Sequence, residues 1–258
     1  MKTFFIITLL AGLISTQAQP TPTNQPTEAS LLPRAQRGEM EAEYELAMLF
    51  AKKGAGTDEE IAKAIPWFIK AADQGHPHAN LILGMFHESG KGVPKSETES
   101  ARRNRKSEEL YTAAADRGDL KAQTMLGDMY QFGWGVKADK ATAQKWFTKA
   151  AEKGHPEAQC SLGAIYAGVD DFSNAAKWYQ KAADGGDLKA QSNLGQLYLR
   201  GVGVPKDLAE GIKWTRRAAE KGHSTAQYNL GAAYRDGTGV DKDQKQADEW
   251  FAKAKRPR

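Results

Sequence analysis

Cysteine is nearly absent from this sequence, which has a single one, Cys160, in 258 residues. A disulfide within the chain is therefore excluded, and stability must come from the packing of side chains. Net charge is also small, because 36 Lys and Arg residues against 32 Asp and Glu residues give a formal charge of +4. Such a slight excess does not predict a nucleic acid as a partner.

Long apolar runs are missing after residue 18, so we expect no stable insertion into a membrane. The first 18 residues combine Lys2, the apolar run FFIITLLAGLI and small residues at Thr16 and Ala18. This order is typical of a secretory signal peptide, cleaved near Ala18. No cysteine follows for lipid attachment, so we expect a periplasmic or secreted protein.

The domain boundaries follow from composition. Residues 19–35, QPTPTNQPTEASLLPRA, are rich in Pro, Thr and Gln and predict a flexible leader. The folded domain is predicted at residues 36–255, and a basic tail occupies residues 256–258.

The stretch SGKGVPKS, residues 89–96, has the glycines and the Lys-Ser pair of a phosphate-binding loop. Pro94, however, stands where that loop needs a glycine, and proline has no N–H to donate. The element G-x-G-V also recurs at the same place in several repeated units, starting at Gly90, Gly133, Gly201 and Gly237. A nucleotide loop is needed once, whereas every unit needs a turn. The stretch is therefore predicted to be a turn.

Glycine also marks where each unit ends. The intervals between these boundary glycines run from 32 to 43 residues, the range of helical-hairpin repeats. Each unit contains two stripes with helical spacing, and an Asp that stands seven residues before a Trp is expected to cap the second helix. A glycine inside the first helix is expected where the partner helix comes too close for a Cβ. The boundary glycines are Gly38, Gly75, Gly118, Gly154, Gly186 and Gly222.

The combined pattern A-x-x-x-L-G-x-x-Y-x-x-G-x-G-V, followed by A-x-x-W-x-x-x-A-A-x-x-G, resembles the Sel-like repeat family over about residues 36–255. This is the "Sel-one" branch of the tetratricopeptide-repeat superfamily. The resemblance implies an all-α fold, an α-solenoid wound as a right-handed superhelix of about six antiparallel helix hairpins. It also implies an adaptor or scaffold that binds another protein, such as a sensor kinase, a host protein or a toxin effector.

Three functions from two classes remain open. The first is a non-enzymatic interaction scaffold, and the second is a periplasmic immunity protein that neutralises a secreted phospholipase toxin. The third is a hydrolase acting on β-lactam or cell-wall substrates, which would need converging titratable groups. No such group recurs at a suitable spacing, and the Cys pair carried in each repeat by the β-lactam-linked branch of the family is absent. The chain is therefore predicted not to be an enzyme and to need no cofactor.

The histidines and the cysteine are predicted to be structural. His76, His155 and His223 each follow a boundary glycine, and His78 lies beside His76 without a Cys, Asp or Glu at metal-ligand spacing. No metal site is therefore expected. Cys160 has no histidine that the sequence would place beside it, so a packing role is favoured over catalysis.

The variable positions of the first helices are the candidate protein-binding surface, because the resemblance places them on the concave face. The apolar, Met-containing early part predicts adaptable anchors, and the later part ends in residue types common in interface hot spots. The alternative is packing between units, weighed equally for Leu81 and Met48. The run ARRNRK, residues 101–106, is interpreted as a solvated helix face rather than a contact for an acidic partner or lipid. The predicted concave residues are Tyr44, Met48, Leu81, Met85, Asp128, Gln196, Tyr228 and Arg235, with Thr124, Cys160, Ala164 and Ser192 between them.

Overall fold

A computed structural model describes residues 26–53 and 57–255, and helix is the only regular structure in these ranges. None of the described helices is long and apolar enough to cross a membrane. The predicted signal peptide, residues 19–25 and the tail at 256–258 lie outside the described residues. The thirteen helices are α1 Glu28–Gln36, α2 Met40–Lys52, α3 Asp58–Asp73, α4 Pro77–Ser89, α5 Glu97–Asp116, α6 Leu120–Phe132, α7 Lys140–Glu152, α8 Pro156–Ala167, α9 Phe172–Asp184, α10 Leu188–Arg200, α11 Leu208–Glu220, α12 Ser224–Asp236 and α13 Gln244–Lys255.

The helices from α2 onward follow one another as six hairpins, and the fold is an all-α solenoid, as predicted. The chain divides into two compact units, residues 1–143 and 144–258. In the first unit, α2 packs on α3 and α4 on α5; in the second, α8 packs on α9, α10 on α11 and α12 on α13. The second helix of a hairpin also packs on the first helix of the next one, as α9 does on α10 and α11 on α12.

Helix α1 corrects the predicted leader. Thr27 and Ser30 form a capping box at its start, and Leu31 and Ala35 are buried against α2. A short helix that buries two apolar side chains against a neighbour gains more from packing than its Pro-containing sequence suggests. The prediction of a flexible leader is therefore wrong for residues 28–35.

The two glycines of the G-x-G-V turn have different structural roles. The first, such as Gly90 with φ +76°, adopts the left-handed conformation that ends the first helix, and its N–H donates to the Phe86 carbonyl at 2.8 Å. The second lies against the preceding hairpin: a methyl group at Gly203 would overlap the Phe172 carbonyl, and one at Gly239 would lie 2.9 Å from the Leu208 oxygen. The stretch at 89–96 is thus a turn that packs on its neighbour.

The glycine inside the first helix is also explained by close contact. A methyl group at Gly163 would lie 2.7 Å from the Tyr179 ring, and one at Gly231 would lie 2.9 Å from the Phe251 ring. Both distances are too short for a Cβ contact, so the expected close approach of the partner helix is confirmed.

The predicted aspartate caps are confirmed as well. Each of the four aspartates accepts a backbone N–H from the first turn of the second helix. The contacts are Asp139 with Thr142 at 3.3 Å, Asp171 with Asn174 at 3.1 Å, Asp207 with Glu210 at 2.9 Å and Asp243 with Gln246 at 3.0 Å.

A buried amide at the joint between hairpins was not predicted. In five hairpins, an amide in the first turn of the first helix donates to a carbonyl near the end of the preceding second helix. The donors are Gln or Asn residues that are exposed by no more than 8%. The pairs are Asn80 with Ala72 at 3.1 Å, Gln123 with Ala115 at 2.9 Å, Gln159 with Ala151 at 3.0 Å, Gln191 with Ala183 at 3.0 Å and Gln227 with Ala219 at 3.1 Å.

Replacing Gln191 by Leu should lower the free energy of unfolding by about 1–3 kcal/mol, because the Ala183 carbonyl would lose its buried donor. Urea denaturation followed by circular dichroism measures this. Lys189→Ala, on the exposed side of the same helix, is the control and should change stability little. Equal midpoints for the two variants would contradict a structural role for the amide.

Replacing Gly163 by Ala should destabilise the protein by roughly 1–3 kcal/mol despite the better helix propensity of Ala, because the added methyl group would meet the Tyr179 ring. Gly168→Ala is the matched control: its φ is −69° and a methyl group there would lie 3.4 Å from its nearest neighbours. Thermal midpoints of the two purified variants give the comparison. A Gly163→Ala variant as stable as the control would show that the helices can separate at no cost.

Candidate interaction surface

The first four residues of the predicted concave face are buried. Tyr44, Met48, Leu81 and Met85 are each exposed by no more than 9%, and Leu81 is fully buried. A partner cannot reach side chains that are already enclosed by the protein. The prediction that they form apolar anchors is therefore wrong, and the alternative of packing holds for all four.

Tyr44 belongs to a cluster of aromatic and histidine rings in the first unit. The Tyr44 ring stacks on His76 with centroids 4.0 Å apart, and the Phe68 ring centroid lies 6.2 Å from that of Tyr44. The Tyr111 hydroxyl forms a hydrogen bond with His78 Nδ1, which joins α5 to α4. The cluster could not be predicted from the sequence, because its members come from separate segments of the chain.

Two of the three histidines that follow boundary glycines cap a helix with their side chains. His76 Nδ1 accepts the Ala79 N–H at 3.2 Å, and His223 Nδ1 accepts the Ala226 N–H at 3.3 Å. Asp187 occupies the equivalent position of another hairpin and accepts the N–H of Ala190 there. This alternation of His with Asp was visible in the sequence and could have identified the role. Within the described ranges, no three His, Cys, Asp or Glu side chains are placed to hold a metal ion.

The middle residues of the predicted concave face differ in how far they are buried. Asp128 and Gln196 are half-buried, whereas Thr124, Cys160 and Ser192 are buried. Burial, and then the nearby Asp187 carboxylate, raise the pKa of the Cys160 thiol well above its usual value. A thiol that stays protonated is a weak nucleophile, which agrees with a packing role.

The end of the row is open. Tyr228 is 55% exposed, and its ring centroid lies 5.2 Å from that of Phe251. The Arg235 guanidinium lies 6.0 Å from the Phe251 ring and donates to Asp236 at 2.7 and 2.8 Å. Together with Asp248 and Ala252 on α13, these side chains line a shallow depression. We call Tyr228, Arg235, Asp248, Phe251 and Ala252 the end surface.

Comparison with the fourth hairpin explains why this surface is open. Tyr228 and Phe251 are equivalent to Cys160 and Tyr179, which are exposed by 7% and 4%. Those two lie in one core cluster with Ala190, Leu194 and Leu197 of α10, the first helix of the next hairpin. In the described part of the chain, no such helix follows α13. The same face of the hairpin is therefore covered in one repeat and exposed in the other.

The end surface is only partly adapted to solvent. Ala176 and Ile212 are exposed by 5% and 6%, whereas the equivalent residue of α13 is the exposed Asp248. A charged residue thus stands where the covered hairpins have an apolar one. Tyr228 and Phe251, however, keep an apolar patch in the centre. The surface thus combines an aromatic centre with one charge of each sign at its edge.

The basic run at residues 101–106 lies on α5, which at 20 residues is the longest described helix. Arg102, Arg105 and Lys106 are exposed, as predicted for a solvated face. Arg103 is different: it is buried and its Nη1 donates to Asp73 at 3.0 Å, linking α5 to α3. The run therefore contributes one buried structural cation as well as an exposed face.

Comparison with protein families gives one match that covers most of the chain. The model described as "Sel1 repeat" matches six consecutive stretches. They are residues 41–76, 77–119, 120–155, 156–187, 188–223 and 224–256, so each match after the first begins at the first helix of a hairpin.

Among solved structures, the chain is similar to a Sel1 repeat protein from Oxalobacter formigenes, with 30% identity and a TM-score of 0.63, covering 84% of this chain and 88% of that one. It is also similar to c5321, a protective antigen of uropathogenic Escherichia coli, with 33% identity and a TM-score of 0.56, covering 89% of this chain and 48% of that one. Immunity protein Pa5087 from Pseudomonas aeruginosa has the same fold at 20% identity and a TM-score of 0.57, with coverage of 84% and 81%.

Among curated relatives, chitin synthase regulatory factor 3 from Schizosaccharomyces pombe is 34% identical over 105 residues. The match covers 40% of this chain and 10% of that protein.

The ring cluster predicts a pH dependence. Burial, and then the neighbouring His76, lower the pKa of His78 from 6.5 to about 3. The unfolded chain therefore binds this proton before the folded one, and stability should fall as the pH drops below about 6.5. The urea midpoint of the native protein should be lower at pH 5 than at pH 7, and this difference should shrink in His78→Gln. The same difference in both proteins would contradict the assignment, because Glu41 and Glu45 are present in each.

Proposed function

This chain belongs to the Sel1 repeat family, and we propose that it is an exported scaffold whose end surface binds another protein. The observation that carries this proposal is the exposure of Tyr228 at a position that is buried in the four preceding hairpins. The equivalent residues Leu81, Thr124, Cys160 and Ser192 are exposed by 0, 3, 7 and 2%. A tyrosine that is 55% exposed at this position does not fill the space between hairpins, and its ring is available to contact a partner.

The composition of the end surface supports a protein as the ligand. Tyrosine, arginine and phenylalanine are enriched in protein interfaces, and Tyr and Arg dominate their energetic hot spots. Phe251 is half-buried and holds Tyr228 and Arg235 against its ring, so these side chains lose less conformational freedom on binding. The half-buried Asp128 and Gln196 stay candidates for weaker polar contacts elsewhere in the row.

The proposal contains no chemical step. The one thiol is buried and held protonated, and His76 and His223 use their Nδ1 atoms as helix caps. A nucleophile or a general base needs a lone pair that can reach a substrate, and these groups do not offer one.

The compartment we propose is the periplasm or the exterior of the cell. What supports it is the order of charge, apolar run and small residues in the first 18 positions of the sequence. Cleavage near Ala18 would leave the six hairpins intact, since α2 begins at Met40.

An immunity role is the second candidate. It is supported by the predicted export together with the fold shared with Pa5087. A cell that is poisoned by a periplasmic phospholipase effector should survive when this chain is co-expressed with its signal peptide. Survival that depends on Tyr228 would indicate that the end surface serves both the scaffold role and the immunity role. If the cells are not protected, the immunity role is refuted and only the scaffold role remains.

Replacing Tyr228 by Ser should weaken partner binding about tenfold or more, because a hot-spot tyrosine contributes about 2 kcal/mol or more to an interface. The partner is first captured from a periplasmic extract and identified, and its affinity for purified native and variant protein is then measured by calorimetry. Phe132→Ser is the matched control, because Phe132 is 50% exposed and belongs to the first unit. Equal affinity of the native protein and Tyr228→Ser would refute the proposed surface.

A further inference from the structure

We propose that the end surface receives an α-helix of the partner, in the place where the first helix of a seventh hairpin would lie. This inference rests on the proposed function and names the kind of ligand that the end surface accepts. The inference is based on the way successive hairpins pack on one another, which occurs twice within the second unit. The partner segment would be an amphipathic helix with a small residue, a side-chain amide next to it, a leucine one turn after the small residue, and a basic residue that faces Asp248.

Shape provides the first argument. In the second unit, the second helix of a hairpin packs on the first helix of the next, as α9 does on α10 and α11 on α12. Helix α13 is the equivalent of α9 and α11, and the described chain has no helix after it. The groove between α12 and α13 therefore has the geometry of a position that accepts a helix twice elsewhere in the same unit.

The contacts at the covered positions define the apolar part of the ligand. Cys160 and Tyr179 are buried in one cluster with Ala190 and Leu194, which are four residues apart on α10. Residues four apart lie on the same helix face. A helix that covers Tyr228 and Phe251 in the same manner would present a small residue followed, one turn later, by a leucine.

The polar contact at the joint defines the amide. Gln191 on α10 donates to Ala183 near the end of α9, and Gln227 on α12 donates to Ala219 near the end of α11. The equivalent position on α13 is Lys255, the last residue of that helix. Its carbonyl belongs to the last turn, where carbonyls have no partner within the helix. An amide next to the small residue of the ligand would reach this carbonyl.

Charge adds a preference for a basic residue in the ligand. Asp248 replaces the buried Ala176 and Ile212, so a helix lying here would face a carboxylate. A buried carboxylate without a partner is costly, which selects for a lysine or arginine opposite it. Arg235 does not serve this purpose within the chain, because it is already paired with Asp236.

The test uses a hairpin of this chain as the probe. A synthetic polypeptide with the sequence of residues 187–222, which contains α10 and α11, is mixed with the full-length mature protein. We expect saturable one-to-one binding by calorimetry and a gain in helix signal above the sum of the two components. Tyr228→Asp in the protein should weaken this binding at least tenfold, whereas the exposed control Phe132→Asp should not. A probe with Gln191→Leu should also bind more weakly.

A second variant tests the same surface without changing its residues. A copy of residues 187–222, fused after Lys255 through a Glu-Lys-Gly joint like those that follow Ala151 and Ala219, should cover the end surface. It should raise the thermal midpoint and abolish binding of the free probe. A flexible Gly-Ser extension of equal length is the control and should leave both unchanged.

Three results would overturn the inference. The first is no probe binding, and the second is binding that Tyr228→Asp leaves unchanged. The third is a dimer of the protein alone, seen by sedimentation and dissolved by Tyr228→Asp, which would assign the surface to a second copy. If the captured partner needs Tyr228 but the probe does not bind, the end surface is the partner site and the proposal of a helical ligand is refuted. If the probe binds through Tyr228 but the captured partner does not need it, the end surface accepts a helix and the proposal that it is the partner site is refuted.

Discussion

The structure depends on how closely the second helix of one hairpin approaches the first helix of the next. The approach is fixed at two levels: glycines remove the Cβ atoms that would hold helices apart, and a buried amide ties each joint. At Gly203 a single methyl group would overlap the backbone of the preceding hairpin, and at Gln191 a single amide satisfies the Ala183 carbonyl. Because interiors are close-packed, small errors at either place are felt as strain. The repeated glycines are therefore distance constraints as well as turns.

This packing decides where a ligand can bind. The same variable position of the first helix is enclosed in every hairpin that has a successor in its unit, as Ser192 is, and is open in the last one, as Tyr228 is. Within the second unit the residue types follow the difference: the small Cys160 and Ser192 occupy covered sites, and the aromatic Tyr228 occupies the open one. An end of the stack, rather than its inner row, is where this chain combines exposure with hot-spot chemistry.

Recurrence explains what the sequence could and could not predict. The hairpins, the Asp207 cap and the close approach at Gly163 were predictable because each feature appears several times at one position. The burial of Met85 was not, since a variable side chain looks the same in the sequence whether it faces solvent or a neighbouring helix. Helix α1 was missed because its composition suggests disorder, and its stability comes from Leu31 and Ala35 packing on α2. Interactions that join distant segments once, such as Tyr111 with His78, leave no pattern to read.

The length of α5 is limited by the same packing between helices. The second hairpin contains seven additional residues, and they lie within the helix, which has 20 residues where α9 has 13. Seven residues are close to two turns at 3.6 residues per turn, so the buried stripe continues in phase from Arg103 to Tyr111. Asn104, the eighth residue of α5, lies against Gly84 just as Tyr179, the eighth of α9, lies against Gly163. An insertion of five residues would turn the later stripe by about 140° and expose it. The joint with the next hairpin therefore permits a longer helix only in whole turns.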